Sequence, residues 1–443
     1  MFKKLYFKLA LFNYYLKRNW YYLVLIVLLS ATYYIFKPTL KELLNLPIFQ
    51  TEYIGLSGHY TNNNLPEEIS NLITYGLTSH TENNKITASP IVESINQEDE
   101  NHRYIIKLKN NLYWHNGQKF TADDIKYEIP GTVIKVENKY TLMITTPDLY
   151  SPLLSTITRP LFNNRLSGLG PNKVIKVEYQ DGYFKTLALQ NIKTKKKTIY
   201  KFYANDTDLT TAFKLGEITS METTLLAPEI EKQNHLKIDK KIITNKKYLA
   251  VFFNTEKLND KTIRQALAYA TPKTKDKNER ALSPISPISW AYNPSVKEYI
   301  FNPTRAKELF DKTEMGTIKI AVTDRQLLET AENIKKSWKD VLGINVEMEV
   351  VNKIDTQNFD AFLAYGGMPI DPDQYSFWHS TQINTNLTKF NNSRIDKLLE
   401  EGRQTFDPIE RKNIYLDFQK YLLEECPAIF LSYPTIYTIS RLK

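Results

Sequence analysis

Two carboxylates, Asp371 and Asp373, flank a proline in the segment FDAFLAYGGMPIDPDQYSFWHS, residues 359–380. A pair of carboxyl groups can divide the roles of general acid and general base. Aspartates around a proline are more often turn formers, because the Asp side chain hydrogen-bonds to the backbone two residues further on. The surrounding sequence must decide between these interpretations.

The same segment contains Gly366 and Gly367, the one adjacent glycine pair in the chain. An apolar strand predicted over 359–364 precedes them, so the pair should form a turn at the carboxyl end of that strand. Ligands of open α/β sheets bind outside this end, and glycine lets backbone pass close to a ligand. A loop that only reconnects the sheet is the competing interpretation.

Motifs of the common catalytic and metal sites are absent. The sequence has no G-x-x-x-x-G-K-S/T loop, no H-E-x-x-H and no G-x-S-x-G. The six histidines are scattered, and a single cysteine, Cys426, excludes an internal disulfide and a cysteine-built metal site. We therefore predict a protein that is not an enzyme, with no catalytic residues, no metal site and no cofactor.

Length and net charge constrain the number of lobes and the kinds of binding partner. A chain of 443 residues exceeds what one hydrophobic core usually supports, which predicts at least two lobes. The net charge of +9 comes from lysines scattered along the chain, with one dense run at 193–197. This distribution indicates a solvated surface rather than a nucleic-acid site. A polyanion-binding surface would instead gather the charge into one patch.

An uncharged apolar run, WYYLVLIVLLSATYYIF, covers Trp20–Phe36 and is close to the length that spans a bilayer. Basic residues precede it, so residues 1–19 should stay in the cytoplasm and the chain after about Lys37 should lie outside. A cleaved signal peptide is the alternative. The long basic flank, the aromatic residues at both ends and the lack of a small-x-small site favour an uncleaved anchor. The predicted location is the cell membrane, single-pass, with the large domain extracytoplasmic.

Local signals predict several elements of that domain. Residues 103–109 alternate as a strand with one solvated face, and Asn116-Gly117 supplies a turn. Thr121 and Asp124 have the spacing of a capping box, which predicts a helix of about two turns ending at Pro130-Gly131. Trp114 should pack in the core beneath that helix.

Further along, the pattern becomes α/β. Residues 247–255 form a continuous apolar strand of the kind buried on both faces, and Asp260 caps the next helix. Residues 318–322 and 344–351 are strands, and the helix between them should end at Gly343. This arrangement predicts a βαβ unit.

Six segments of the chain, in order, resemble one family. YIIKLKNNLYWHNGQKFTADDI and YLAVFFNTEKLNDKTIRQALAYA are similar to the two signatures of the family 5 extracellular solute-binding proteins, the peptide/nickel-type receptors of ABC importers. Four later segments also match: FNPTRAKELF, LGINVEMEVV, FDAFLAYGGMPIDPDQYSFWHS and ERKNIYLDFQKYLLEECPAIFLSY. The resemblance covers about residues 50–440.

The resemblance implies a two-lobed periplasmic-binding-protein-like α/β fold (type II, cluster C-like), here with an N-terminal transmembrane helix. Lobe I would span 50–247, with a reduced sub-domain, and be completed by 430–443; lobe II would span 248–429. The chain would cross between the lobes near 248–254 and return near 428–433.

The resemblance also implies where the ligand lies. The predicted ligand-binding residues are Tyr365, Gly366, Gly367, Met368, Asp371 and Asp373. In the family, a Trp at the position of Tyr365 abuts the ligand, and an Asp at the position of Met368 pairs with the amino terminus of a bound peptide. Met368 removes that counter-charge, unless Asp371 or Asp373 reaches the same place.

The function implied is capture of a peptide or other small solute for the permease and ATPase subunits of an ABC importer. The protein would act as a monomer, with no nucleic-acid partner. The alternative is a degenerate homologue that serves as a surface sensing or protein-interaction module without transport. Met368 and the short helix after Thr121 are compatible with that alternative.

Overall fold

The computed structural model describes residues 14, 18–22, 24–25, 28–32, 51–81, 85–164, 166–244, 246–310, 316–351 and 354–442. The predicted cytoplasmic segment 1–19 and the predicted anchor Trp20–Phe36 lie largely outside these residues. Among the residues that are described, no helix is both long and apolar enough to cross a bilayer.

Eighteen strands occur in the described residues: β1 Thr51–Ser57, β2 Thr78–His80, β3 Ile86–Ala88, β4 Val92–Glu98, β5 Arg103–Leu108, β6 Val133–Asn138, β7 Thr141–Thr145, β8 Asn172–Gln180, β9 Tyr183–Asn191, β10 Lys197–Tyr203, β11 Ser220–Thr223, β12 Leu236–Ile242, β13 Lys247–Phe253, β14 Ile318–Val322, β15 Val346–Val350, β16 Ala361–Gly367, β17 Ala428–Ser432 and β18 Thr435–Arg441. The α-helices described after residue 50 are α1 Glu67–Ile73, α2 Leu153–Thr156, α3 Asp206–Leu215, α4 Pro228–Glu231, α5 Lys261–Ala270, α6 Pro303–Phe310, α7 Leu328–Leu342, α8 Tyr375–Trp378, α9 Ser393–Gln404 and α10 Pro408–Glu425.

The first lobe, as named here, is built on a seven-stranded sheet in the order β12-β18-β11-β1-β10-β9-β8. Strand β1 lies at its centre and runs parallel to both of its neighbours, β10 and β11. The other pairings are antiparallel. Strand β18 belongs to this sheet, so the C-terminal segment returns to the lobe in which the described chain after residue 50 begins.

The second lobe is built on a five-stranded sheet in the order β15-β14-β16-β13-β17. Strand β14 runs parallel to β15 and β16, while β13 runs antiparallel to β16 and β17. The predicted βαβ unit is confirmed as β14-α7-β15, and Gly343 ends α7 with a φ of 71°. Six of the seven residues of β13 are buried, as its continuous apolar pattern predicted. Asp260 caps α5 by accepting a hydrogen bond from the Thr262 amide at 2.7 Å.

The chain passes between the two sheets twice, between Ile242 and Lys247 and between Ser432 and Thr435. Two short connections therefore join the lobes, without a long flexible linker. The domain limits given by the resemblance lie close to these crossings and stay a prediction.

A four-stranded antiparallel sheet, β4-β5-β7-β6, extends the first lobe over its own hydrophobic core. The predicted Thr121–Asp124 contact is present, since the Asp124 carboxylate accepts a hydrogen bond from the Thr121 amide at 2.8 Å. Trp114 is buried in this core, as predicted, and its indole N–H donates to the same carboxylate at 3.3 Å.

The prediction of a helix from Thr121 to Pro130 is wrong. Only a three-residue 3₁₀ turn, Ala122–Asp124, forms, and Ile125 is already extended with φ −87° and ψ 110°. The reason lies in the spacing of the next apolar residues. Ile125, Tyr127 and Ile129 recur at every second position and pack against the core of the four-stranded sheet, which an extended chain permits and a helix does not.

Candidate ligand-binding cleft

The carboxyl ends of parallel strands from both sheets meet at one cavity. In the first lobe, β1, β10 and β11 are parallel and end on the same sheet edge. In the second lobe, β14, β15 and β16 are also parallel and end on one sheet edge. Strand β13 begins at that edge, because it runs antiparallel to β16. Two sheets thus present the edges at which α/β proteins bind ligands.

The cavity between these edges has a volume of about 610 Å³, within the range of about 300–1,000 Å³ typical of small-molecule sites. We call it the first cavity. Its lining residues are, from the first lobe, Leu56, Ser57, Gly58, His59, Tyr60, Ala204, Asn205, Glu222, Thr223, Thr224 and Ile436, and, from the second lobe, Lys247, Thr323, Asp324, Arg325, Gln326 and Val350.

A hydrogen-bonded cluster beside this cavity connects the lobes. Asp206, the first residue of α3, is only 5% exposed. Its carboxylate accepts a hydrogen bond from the Ser57 hydroxyl within the first lobe and one from Gln326 Nε2 of the second lobe at 3.0 Å. The Thr224 hydroxyl donates to Gln326 Oε1 at 3.0 Å. The side-chain amide of Gln326 is therefore held at both ends by the opposite lobe.

Lys247 brings a positive charge to the wall of the second lobe. Its ammonium nitrogen lies 4.2 Å from the ring centroid of Tyr365, in cation–π geometry. Burial lowers the pKa of Lys247, and the Asp324 carboxylate opposes that shift. Tyr365, one of the predicted site residues, thus contacts a side chain of the cavity wall.

The glycine pair predicted to form a turn belongs to the end of β16 instead. Gly366 pairs with Tyr248 and Gly367 with Lys247 of β13. A Cβ at Gly366 would lie 2.4 Å from Cζ of Tyr248, and one at Gly367 would lie 3.3 Å from Cζ of Phe377. Close approach of the Tyr248 ring thus accounts for glycine at position 366, and the ligand contact predicted for the glycine pair stays a prediction.

Met368, the next predicted residue, is only 3% exposed. It contributes to a second cavity of about 610 Å³ between the same two lobes, which is a different cavity from the one beside Lys247. The second cavity is lined by Glu67, Glu68, Asn71, His80, Ser155, Thr158, Arg159 and Pro160 on one side and by Lys246, Met368, Pro369 and Ile370 on the other.

The two predicted aspartates form turns and ion pairs. Asp371 accepts a hydrogen bond from the amide of Asp373 at 3.0 Å, and Asp373 accepts one from the amide of Tyr375 at 3.0 Å, as expected of Asx turns. The Asp371 carboxylate is bound by Arg411, and the Asp373 carboxylate by Arg403 at 2.9 Å. Both carboxylates therefore already have cationic partners, which leaves Met368 without a substitute counter-charge from this loop.

A comparison with family models agrees with this architecture. The model for "Bacterial extracellular solute-binding proteins, family 5 Middle" matches residues 165–387. The chain belongs to this family. The oligopeptide-binding protein AppA of Bacillus subtilis (strain 168) is 24% identical over 458 residues, an alignment that covers 85% of this family 5 chain and 83% of AppA.

Solved structures show the same fold. NikZ from Campylobacter jejuni, in complex with Ni(L-His), superposes with a TM-score of 0.75 at 21% identity, covering 88% of this chain and 94% of NikZ. AppA from B. subtilis, in complex with a nonapeptide, gives a TM-score of 0.73 at 20% identity, covering 88% of this chain and 95% of AppA. This family 5 protein therefore has the two-lobed fold of mixed α/β content.

None of the six site residues predicted from the sequence lines the first cavity of this family 5 chain, and sequence reasoning named none of the residues that do. One signal was available, since four lining residues, Thr323–Gln326, directly follow β14, a strand that the sequence did predict. The rule that ligands bind at carboxyl ends applies to that strand as well as to β16. Asp206 and Glu222 offered no comparable signal, because their place depends on the pairing of β1 with β10 and β11.

Proposed function

We propose that this protein is a membrane-anchored, extracytoplasmic solute-binding protein that captures a peptide or peptide-like solute and delivers it to an ABC permease. The observation that carries the proposal is the first cavity, formed where the carboxyl ends of parallel strands in two lobes face each other. Family membership supports the solute-binding role. The name of the B. subtilis relative, an oligopeptide-binding protein, supports the choice of a peptide.

The mechanism requires no bond-making chemistry. Two lobes joined by two short connections can close by a hinge motion. A ligand shifts such an equilibrium only by its difference in affinity between the open and closed states. A solute that contacts both walls of the first cavity binds the closed state more tightly than the open state, because both sets of contacts form only when the lobes are closed.

The anchor in this proposal is the apolar run at 20–36, which would keep the binding lobes near the permease. Its sequence supports the role through its length, its lack of charge and the basic residues before it. A tethered receptor reaches its permease by diffusion in the membrane plane.

Native mass spectrometry of the full-length chain tests the binding function. The protein is incubated with a mixed peptide library and, separately, with an extract of peptide-rich growth medium, each at two salt concentrations. We expect a bound solute mass that persists at the higher salt, since enclosed contacts are screened less than surface ones. A protein that binds no solute from either source would contradict the proposal and favour the sensing or interaction module.

The same measurement tests the predicted site residue Tyr365. Tyr365→Ala removes the ring beneath the Lys247 ammonium, and we expect weaker retention of the bound solute. Tyr113→Ala is a matched control, because Tyr113 is 58% exposed and lies outside both cavities described above. Equal retention by the two variants would remove Tyr365 from the site.

A further inference from the structure

The described chain enters the first lobe at the sheet edge opposite the first cavity. Strands β1, β10 and β11 are parallel and end at the cavity, so their first residues, Thr51, Lys197 and Ser220, lie at the other edge. Thr51 pairs with Lys197, which directly follows the turn between β9 and β10. The chain that follows the apolar run at 20–36 therefore enters the lobe beside this turn.

That turn contains the dense lysine run of the sequence, KTKKK at 193–197. Lys193 and Lys195 are exposed. The ammonium of Lys195 donates to a backbone carbonyl of the same turn at 2.7 Å, and Lys196 forms an ion pair with Glu52 of β1 at 2.7 Å. Among the described residues, neither Lys193 nor Lys195 has a carboxylate partner, so both positive charges face solvent.

The fold brings further residues to the same edge. Asn172 pairs with Asn191, which places the start of β8 beside the turn. Helix α3 begins beside the cavity and ends at this edge with Leu215, and β18 ends here with Arg441. Arg441 donates to the Phe213 carbonyl and lies over the Phe213 ring, 5.1 Å from its centroid. We call the following residues the basal surface: 51–52, 171–173, 191–196, 214–217 and 441–442.

The basal surface combines positive charge with exposed apolar side chains. It contains six basic residues and two acidic ones, so it stays positive although Lys196 and Lys214 are paired with Glu52 and Glu229. Its exposed apolar side chains, with their exposed fractions, are Ile192 (40%), Leu215 (71%) and Leu442 (58%). Lipid headgroups match both features, because their phosphates attract lysine and the boundary beneath them accepts apolar side chains.

We propose that the basal surface rests on an anionic phospholipid membrane, the same membrane that holds the apolar run at 20–36. The inference rests on the anchor in the proposed function and adds how the lobes stand on that membrane. Fourteen residues, 37–50, separate the run from Thr51, and a fully extended chain of that length reaches at most about 50 Å. The tether therefore keeps the basal surface at a high local concentration beside the headgroups.

This contact has a consequence for the first cavity. The cavity and the basal surface lie at opposite edges of one sheet, so resting the basal surface on lipid turns the cavity toward the solution. Seven strands about 4.8 Å apart make that edge about 30 Å wide, which is broad enough for several headgroups to contact it at once. The unliganded receptor would thus face the medium from which it captures solute.

Förster transfer to a labelled lipid measures the contact in the full-length protein held in nanodiscs. Thr194→Cys places the donor dye in the middle of the exposed turn. Cys426 does not compete for the dye, because it is buried and burial raises the pKa of its thiol to about 11. Gln357→Cys is the matched control, since this exposed residue precedes β16, at the edge of the second lobe that lies away from the cavity.

Nanodiscs of phosphatidylcholine are compared with nanodiscs that also contain phosphatidylglycerol, each with a headgroup-labelled acceptor lipid. From residue 194 we expect strong transfer in the anionic nanodiscs at low salt. We expect weaker transfer in the neutral nanodiscs and at high salt, because salt screens charges at an exposed surface. Residue 357 should give weak transfer under all of these conditions.

Two double variants test the charges. Lys193→Gln with Lys195→Gln should lower the equilibrium constant for docking on anionic lipid about tenfold or more, since each lysine near an anionic surface strengthens binding about fivefold. Lys336→Gln with Lys339→Gln removes the same charge from exposed positions of α7 and should leave the transfer unchanged. Circular dichroism checks that each variant is folded.

The outcomes separate this inference from the proposed function. Equal transfer from residue 194 in neutral and anionic nanodiscs would overturn the membrane contact and favour a protein partner for the basal surface. Unchanged transfer on loss of Lys193 and Lys195 would overturn it as well, and both results leave solute capture intact. A chain that does not enter nanodiscs would overturn the anchor and this inference together. A parent that binds no solute would overturn capture alone, because the transfer still decides the contact with lipid.

Discussion

Asp371 and Arg411 form a bidentate ion pair inside the second lobe. Arg411 Nη1 lies 2.9 Å from Asp371 Oδ2, and Nη2 lies 2.7 Å from Oδ1. Both side chains are only 9% exposed. Because Arg411 also donates from Nε to the Gly402 carbonyl at 2.8 Å, it fixes the loop after β16 to α9 and α10. The role of Asp371 that the structure supports is therefore in holding the loop.

Replacing Asp371 should destabilise the fold more than it alters ligand choice. Asp371→Ala leaves the Arg411 guanidinium buried without its partner, and breaking a buried pair in this way costs about 3–5 kcal/mol. We expect a loss of that size in the free energy of unfolding, measured by urea denaturation. Glu401→Ala breaks an exposed pair with Lys397 on α9 and should cost no more than about 1 kcal/mol. A similar small loss for both variants would contradict this account.

A methyl group at Gly366 should be costly although the backbone there is extended. The added Cβ would lie 2.4 Å from the fully buried Tyr248 ring, and overpacking of this kind typically costs about 1–3 kcal/mol. Urea denaturation of Gly366→Ala measures this loss in the free energy of unfolding. Gly316→Ala is the matched control, because no described atom lies within 4 Å of its Cβ position. If Gly366→Ala were as stable as Gly316→Ala, the packing explanation for the glycine pair would be wrong.

Features with local causes could be predicted from the sequence, and features with distant causes could not. Asp260 caps α5 and Gly343 ends α7 because the deciding contacts lie within a few residues. The requirement for glycine at position 366 depends on the ring of Tyr248, which lies far earlier in the chain. Asp206 and Gln326 are brought together by two separate sheets, so no local pattern in the sequence predicts their contact or the cavity beside it. The helix predicted after Thr121 does not form, because burial of Ile125, Tyr127 and Ile129 at a two-residue period outweighs the local capping contact.

The contact between Gln326 and Asp206 should help to hold the lobes together. Gln326→Ala removes a hydrogen bond to the Asp206 carboxylate, and such a bond is worth about 1.5–3 kcal/mol. Because this bond joins the two lobes, the substitution destabilises the closed state and not the open one. We expect the ligand-free protein to open, which small-angle X-ray scattering detects as a larger radius of gyration. Gln233→Ala is the control, because Gln233 donates to the Glu229 carbonyl within the first lobe at 3.0 Å. An unchanged radius for Gln326→Ala would show that other contacts set closure.

Glu222 should make the stability of the fold decrease as pH rises above the ordinary pKa of a glutamate. Its pKa is raised above the ordinary value of 4.5, chiefly by burial. The folded state therefore binds more protons than the unfolded chain just above pH 4.5, so its stabilising contribution is present below that pH and is lost as pH rises through the raised pKa.

Urea denaturation between pH 4.5 and pH 7 measures this trend, taken as the free energy of unfolding of the parent minus that of Glu222→Gln. Glu229 provides a control of opposite sign, because its hydrogen bond and ion pair with Lys214 lower its pKa. Its contribution to stability should be present above pH 4.5 and lost as pH falls through the lowered value. If Glu222→Gln left the pH profile of stability unchanged, Glu222 would not be a carboxylate whose raised pKa lowers stability as pH rises.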